Sequence, residues 1–325
     1  MKIQRRRLLQ LCGGVIASPV VSRVATAQTF PTRPITIVAG YAAGGPTDTI
    51  ARILAERMKA VLGQPVLVEN TTGAGGSIAV GRVVRAAPDG YTVSIGDIGN
   101  YIANQALYPL QYDLRTDLQP VAMVADAPHI VVARNGMPAS DLKELIAWLR
   151  ANPNKAFAGT GGIGSGDHLA GLRFANITGT RIQFVPYRGQ APALQDLVAG
   201  QIDLEFAFPL LPLPQVRAGQ IKAYAVMGPD RLDAAPELPT VDEAGAPGAY
   251  FANWAALFTS KSTPKEVIAT INAAVIIALA DTTVQARFAD LGTNVPPRDH
   301  QTPEWLAQFH KNEFDRWWPI LKTLN

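Results

Sequence analysis

The junctions between strand-like and helix-like segments of this 325-residue sequence are rich in glycine and short polar residues. The first reads YAAGGPTD from residue 41, after the strand-like run Ile35–Ala39. Glycine lets the backbone approach a ligand closely, and the first amides of a helix lack internal partners and carry partial positive charge. The junction therefore predicts an anion site that needs no lysine. Its candidate ligand-binding residues are Tyr41, Gly44, Gly45, Thr47 and Asp48.

Four further junctions share this composition. They read NTTGAGGS (70–77), GDIGN (96–100), GTGGIGSGDH (159–168) and PYRGQ (186–190). In open α/β sheets, ligands bind beyond the carboxyl ends of the strands, where such loops lie. Loops from two domains could grip a small acid across a cleft, because each carboxylate accepts several charge-assisted hydrogen bonds. The candidate residues here are Gly75, Asn100, Thr160, Gly164, Ser165 and His168.

Each junction also has a purely structural interpretation. A glycine pair at a strand end is common in turns, Asp48 and Ser165 could cap the helices that follow them, and His168 could orient its loop. Residues 159–164 match the dinucleotide-binding motif G-x-G-x-x-G, but the acid expected about 20 residues further on is absent. Arg188 stands in that region and could bind the 2′-phosphate of NADP. An NAD(P)-dependent α/β enzyme therefore remains the alternative.

The sequence gives less support to a serine hydrolase or to a metal site. Ser165 lacks the glycines of G-x-S-x-G, which argues against a serine hydrolase. The four histidines show no metal-ligand spacing, so neither a metal nor a cofactor is predicted.

Strand-like and helix-like runs alternate along the chain, which predicts an α/β fold with mostly parallel sheets. The pattern places a helix at 49–62 and another at 141–150, with Ser140 as its cap. Two long strand-like connectors near 120–133 and 250–259 interrupt the alternation. We therefore expect one domain from residues 28–130 plus 251–325 and a second from 131–250, joined by a hinge at a central cleft.

Residues 1–27 resemble an export signal. A basic start at Arg5-Arg6-Arg7 precedes an apolar stretch and the A-x-A site Ala25-Thr26-Ala27. Cleavage would leave 24 basic against 26 acidic residues and remove Cys12, the sole cysteine. This balance argues against nucleic acid as a partner. We expect periplasmic export by the Sec or the twin-arginine route.

The ordered series of motifs resembles the Bug/TctC family, the periplasmic receptors associated with tripartite tricarboxylate transporters. The similar segments cover most of the chain after the signal and include RPITIVAGYAAGGPTDTIARILAERM, VENTTGAGGSIAVGRVVRAAPDGYTV, TGGIGSGDHLAGLRF and FVPYRGQAPALQDLVAGQID. The resemblance implies a type II periplasmic-binding fold whose two α/β domains close on a small organic acid. It also implies transporter membrane subunits as partners, a monomeric receptor and no enzymatic activity.

Carried onto this sequence, the family's carboxylate contacts fall on Gly44, Gly45, Thr47 and Asp48 of one domain, and on Thr160, Gly164, Ser165 and His168 of the other. The chain departs from the family at Gly40, where proline is usual, and at Ala207-Phe208, where a polar residue is common. The second departure disfavours an amino-acid ligand. Instead, Tyr41, Tyr101 and Phe208 would form an apolar wall suited to an aliphatic or aromatic carboxylate.

Overall fold

The computed structural model describes residues 30–322, so the export signal predicted for residues 1–27 lies outside the described range. From Pro31 onward the described residues form one compact unit. They contain ten strands, which are, in chain order, β1 (Ile35–Ala39), β2 (Val66–Asn70), β3 (Thr92–Gly96), β4 (Leu118–Pro128), β5 (Ile130–Arg134), β6 (Phe157–Thr160), β7 (Gln183–Pro186), β8 (Leu204–Ala207), β9 (Ile221–Val226) and β10 (Ala252–Ser260).

Ten α-helices connect or flank these strands within the described residues. They are α1 (Pro46–Leu62), α2 (Ser77–Val84), α3 (Asn104–Leu107), α4 (Leu142–Ala151), α5 (Gly166–Thr178), α6 (Gln190–Val198), α7 (Pro212–Arg217), α8 (Lys265–Leu279), α9 (Thr282–Asp290) and α10 (Pro303–Leu321). Among residues 30–322, no single helix is both long and apolar enough to cross a bilayer. Only α8 and α9 together pass that test, across a bend of 68°.

The strands form two sheets of five. The first has the order β2-β1-β3-β10-β4 and the second the order β7-β6-β8-β5-β9. We call the first sheet, with α1, α2, α8 and α10 packed on it, the first lobe, and the second sheet, with α5, α6 and α7, the second lobe. The chain changes sheet between β4 and β5 and again between β9 and β10. The domain boundaries inferred from the sequence stay a prediction.

Both sheets are mixed, so the prediction of mostly parallel sheets is wrong. β1 pairs in parallel with β2 and β3, and β6 with β7 and β8, but β10 runs antiparallel to β3 and β4, and β5 runs antiparallel to β8 and β9. The reason is the path of the chain. β4 leaves the first sheet and β10 returns to it, and the two strands lie side by side.

Two helix starts also differ from the sequence prediction. Helix α1 begins at Pro46 rather than Thr49, because proline suits the first helical position, where its missing amide hydrogen costs nothing. Helix α4 is capped by Asp141 rather than Ser140, because the Asp141 side chain accepts from the Glu144 amide at 2.8 Å. Ser140 instead donates its hydroxyl to the Glu144 carboxylate.

Candidate functional site

A cavity of about 40 Å³ lies between the two lobes, at the carboxyl ends of β1, β3 and β6. That volume holds on the order of three water molecules. Thirteen residues of both lobes line it: Tyr41, Pro46, Thr47, Ile50, Asp97, Gly161, Ser165, Asp167, Gln190, Phe208, Asn253, Trp254 and Ala255. Four of them, Tyr41, Thr47, Ser165 and Phe208, are among the residues expected from the sequence.

The N-terminus of α1 reaches this cavity from the first lobe. Its N-cap, Gly45, has no side chain, and Pro46 has no amide hydrogen, so Thr47 and Asp48 carry the first amides of the helix. Neither amide has a hydrogen-bond partner among the described residues. The Thr47 hydroxyl, which is only 5% exposed, also lacks a partner in the described part of the chain. Together these donors form the positive end of a helix dipole beside the cavity.

The N-terminus of α5 reaches the same cavity from the second lobe. Ser165 is its N-cap, and the Ser165 hydroxyl accepts from the His168 amide at 3.3 Å. The structural interpretation of Ser165 therefore holds, although the residue also lines the cavity. The Gly166 and Asp167 amides of the first turn have no partner among the described residues. Two helix dipoles from opposite lobes thus meet at one cavity.

Asp48 and the two glycines before it shape the first loop instead of lining the cavity. The Asp48 carboxylate accepts from the Gly44 amide at 2.8 Å and from two guanidinium nitrogens of Arg52 at 2.9 and 3.0 Å. Burial opposes ionisation, but the bonds from Arg52 and Gly44 lower the pKa of Asp48. The Gly45 amide donates to the Ala42 carbonyl oxygen. The amides of Gly44 and Gly45 are therefore already used within the loop.

Asn100 and Gly75 brace two loops of the first lobe. The Asn100 side-chain amide donates to the Gly75 carbonyl oxygen at 2.8 Å, and its oxygen accepts from the Asp97 amide at 3.2 Å. A Cβ on Gly76 would lie 2.2 Å from the Asn100 nitrogen, so only glycine fits there. Gly75 borders an adjoining groove of about 290 Å³, which shares Tyr41 and Gly161 with the cavity.

Thr160, Gly164 and His168 organise the fourth loop. The Thr160 hydroxyl accepts from the Gly162 amide at 3.3 Å, and the His168 Nδ1 accepts from the Gly164 amide at 3.1 Å. Burial lowers the pKa of His168 to about 4, so the ring is neutral and its Nδ1 is free to accept. The structural interpretation of His168 therefore fits its position, which is outside the cavity lining.

The apolar wall of the cavity differs from the expected one. Phe208 and Tyr41 line it, whereas Tyr101 is fully buried in the core of the first lobe. The Tyr101 ring stacks on Trp254 at 6.1 Å, and its hydroxyl bonds the Ser94 hydroxyl at 2.8 Å. Trp254 completes the wall in its place. The Trp254 indole nitrogen has no partner among the described residues.

Two carboxylates that the sequence analysis left out also line the cavity. Asp97 accepts from the Tyr41 hydroxyl at 3.0 Å, from the amides of Gly99 and Asn100, and from the Asn253 side chain. Its burial, with a smaller contribution from the charge of Asp167, raises the pKa of Asp97. Asp97 therefore places a carboxyl group at the cavity, on the opposite lobe from Ala207 and Phe208.

Asp167, the second of these carboxylates, interacts with two buried titratable residues, His129 and Glu205. One of its oxygens accepts from the Gly161 amide at 3.0 Å, and the other lies 3.3 Å from the His129 Nε2. Glu205 is fully buried without a hydrogen-bond partner among the described residues. Its burial, and then the charge of Asp167, raise the pKa of Glu205 well above its ordinary value. Within residues 30–322, no cluster of acids, histidines and cysteines could hold a metal ion.

The two lobes touch across the cleft. The Tyr108 hydroxyl of the first lobe donates to the Ile163 carbonyl oxygen of the second at 3.1 Å. A Cβ on Gly99 would lie 2.8 Å from the Gly164 carbonyl oxygen and 3.0 Å from the Ser165 Cα. Glycine at this position therefore permits the close approach of the third and fourth loops.

Two mixed α/β sheets with helix N-termini at a shared cleft define a two-lobed solute-binding protein. Residues 50–325 match the model of the tripartite tricarboxylate transporter family receptor, TctC. A UPF0065 protein of Agrobacterium vitis is 38% identical over 93% of this chain and 88% of its own length. Among solved structures, MatC from Rhodopseudomonas palustris with bound malate is 38% identical, with a TM-score of 0.86 over 90% of this chain and 100% of that one.

The periplasmic binding protein BugD is 36% identical, with a TM-score of 0.86 over 90% of this chain and 98% of that one. The chain belongs to the TctC receptor family. It is therefore a periplasmic solute-binding receptor of transport, and the resemblance noted from the sequence is confirmed. The family is one of receptors rather than enzymes, so the dinucleotide-dependent alternative falls away.

Proposed function

We propose that this receptor captures a small organic acid in the cavity between its lobes and presents it to the membrane subunits of a tripartite transporter. The observation that carries the proposal is the convergence of two helix N-termini, α1 with its Thr47 and Asp48 amides and α5 with its Gly166 and Asp167 amides, none of which has a partner within residues 30–322. Such termini favour an anion. MatC, a family member of the same fold, was solved with malate, a carboxylate.

The groups that would contact the acid are the amides of these two helix starts and the side chains that line the cavity with a donor unused among the described residues. Thr47 offers a hydroxyl and an amide, and Trp254 offers an indole N–H. Ser165 contributes by placing the first turn of α5. Tyr41 and Phe208 would contact the carbon skeleton, and their rings suit an aliphatic or aromatic acid. The Asp48 carboxylate and the residues Gly44, Gly45, Gly75, Asn100, Thr160, Gly164 and His168 would act indirectly, by holding the loops in place.

Binding would favour the arrangement in which the lobes meet, because only there do both sets of donors reach one carboxylate. The domains would be residues 28–130 with 251–325 and residues 131–250, hinged where the chain changes sheet. The membrane subunits would recognise the closed form. The receptor would work as a monomer, after removal of residues 1–27 and export by the Sec or twin-arginine route.

A panel of ligands tests this proposal. The purified receptor would be melted with a series of mono- and dicarboxylates, with the same acids as methyl esters, and with NADP. We expect at least one acid to raise the melting temperature and its ester to have no effect, because the ester lacks the negative charge. Stabilisation by NADP alone, or equally by acid and ester, would contradict the proposal.

A further inference from the structure

The cavity wall contains a hydrogen-bond acceptor that the described part of the chain does not use. Gln190, the first residue of α6, is 4% exposed and lines the cavity. Its side-chain Nε2 donates to the Phe208 carbonyl oxygen at 2.9 Å, whereas its Oε1 has no partner among residues 30–322. Since a carbonyl oxygen can only accept, the bond to Phe208 fixes which end of the amide is the oxygen.

This acceptor cannot be satisfied by a carboxylate, which when ionised accepts hydrogen bonds and donates none. The Thr47 hydroxyl and the Trp254 indole N–H suit a carboxylate, because both can donate and both lack partners within the described residues. A ligand that is only a carboxylate on a carbon skeleton would leave the Gln190 oxygen buried and unpaired, which is unfavourable.

The charges around the cavity also favour a ligand that carries a hydrogen-bond donor. Asp97 and Asp167 line it, and neither lysine nor arginine is among its lining residues. Asp97 Oδ1 accepts three hydrogen bonds and Oδ2 accepts one, from the Asn253 side chain, so Oδ2 can still accept a bond from a donor on the ligand. A hydroxyl or ammonium group is better placed in such surroundings than a second ionised carboxylate.

Resting on the proposed function, we propose that the ligand carries a hydrogen-bond donor beside its carboxylate and that this donor reaches Gln190 Oε1. Gln190 is then a specificity-determining residue that selects hydroxy or amino carboxylates over acids of the same skeleton without the donor. A site built to pair with a donor rejects the analogue that lacks it, because the buried acceptor is left unpaired.

Matched triplets of ligands test the inference by calorimetry. Each contains a hydroxy acid, an amino acid and the unsubstituted acid of one skeleton, in both enantiomers where they exist. The triplets are malate, aspartate and succinate; lactate, alanine and propionate; and phenyllactate, phenylalanine and phenylpropionate. We expect a hydroxy or amino member of at least one triplet to bind about tenfold or more tightly than its unsubstituted acid. Preference for the hydroxy member identifies a hydroxyl donor, and preference for the amino member an ammonium.

The variant Gln190→Met removes the acceptor at similar size, together with the Nε2–H that donates to the Phe208 carbonyl oxygen. The readout is therefore the ratio of affinities within one triplet, and we expect the preference for the donor-bearing acid to fall to about threefold or less. Gln195→Met makes the same change at an exposed position of the same helix and should keep the wild-type preference. An unsubstituted acid that binds the wild type as tightly as the best donor-bearing acid would overturn the inference and leave the proposed function intact. If no carboxylate binds at all, the proposed function itself is wrong.

Discussion

The Ala42 amide donates to the Arg188 carbonyl oxygen at 2.8 Å, which joins the first loop of one lobe to the fifth loop of the other. A Cβ on Gly189 would lie 3.0 Å from the Ala42 nitrogen. Backbone contact between the lobes thus occurs right beside Tyr41, at the edge of the cavity. A main-chain hydrogen bond therefore joins the two lobes at this edge of the cavity, in addition to the bond from the Tyr108 hydroxyl to Ile163.

The Thr47 hydroxyl supplies the first prediction. Thr47→Val keeps the shape of the side chain but removes the donor, so we expect ligand binding to weaken by roughly 1.5–3 kcal/mol, the value of a hydrogen bond to a charged group. Calorimetry with an acid that stabilises the wild type measures the loss. Thr49→Val, on the same helix but outside the cavity lining, is the matched control and should bind normally. Unchanged affinity in Thr47→Val would exclude this hydroxyl as a contact.

Trp254 should report ligand binding by its fluorescence. All five tryptophans lie within residues 30–322, and Trp254 is the one that lines the cavity. We expect an acid that binds to change the emission of the wild type, and Trp254→Phe to lose most of that change. Trp148→Phe, on helix α4, is the control and should retain it. A full ligand-induced change in Trp254→Phe would mean that the acid binds elsewhere.

His168 should make the receptor less stable in mild acid. Its pKa falls from 6.5 to about 4 because burial penalises the charged ring. Between these values the unfolded chain binds a proton that the folded chain does not, so stability is complete above pH 6.5 and is lost as the pH falls towards 4. The slope is at most about 1.4 kcal/mol per pH unit.

Denaturant unfolding at several pH values checks this prediction against His168→Asn, whose side-chain oxygen can still accept from the Gly164 amide. The variant should lose less stability than the wild type between pH 6.5 and 4. Parallel curves for the two proteins would contradict a neutral, buried His168.

Glu205 should have the opposite effect on stability from His168, because it should make the folded protein less stable as the pH rises. Its burial, and then the charge of Asp167, raise its pKa above 4.5, so the folded state holds a proton that the unfolded chain releases. The stability of the wild type should therefore fall as the pH rises above 4.5, and Glu205→Gln should remove that loss. The free energy of unfolding of the variant relative to the wild type should increase from pH 5 to pH 8. A constant difference would show that Glu205 is ionised in the folded protein.

Local sequence patterns predicted the bounds of a strand or helix well where residues adjacent in the chain determine where it begins and ends. Strand β1 has the predicted bounds Ile35–Ala39, and α10 begins at Pro303 as its proline suggests. The antiparallel directions of β5 and β10 could not be predicted, because they depend on how the chain crosses between the sheets.

The sequence anticipated part of the cavity lining for a similar reason, whereas the residues that bind a ligand stay a prediction. Thr47 and Ser165 lie at helix starts, which local composition reveals. Asn253 and Trp254 come from the middle of a long apolar strand, and nothing local marks them as cavity residues. Asp97 lay within a loop that the sequence did single out, but its burial depends on Tyr41 and Asn253, which are distant in the chain.

A crystal structure with an acid chosen from the thermal panel would show directly whether both helix N-termini bind the ligand. We expect one carboxylate within hydrogen-bond distance of the Thr47 or Asp48 amide of the first lobe and of the Gly166 or Asp167 amide of the second. A carboxylate that contacts only one lobe, or that lies outside the cavity between them, would contradict this expectation.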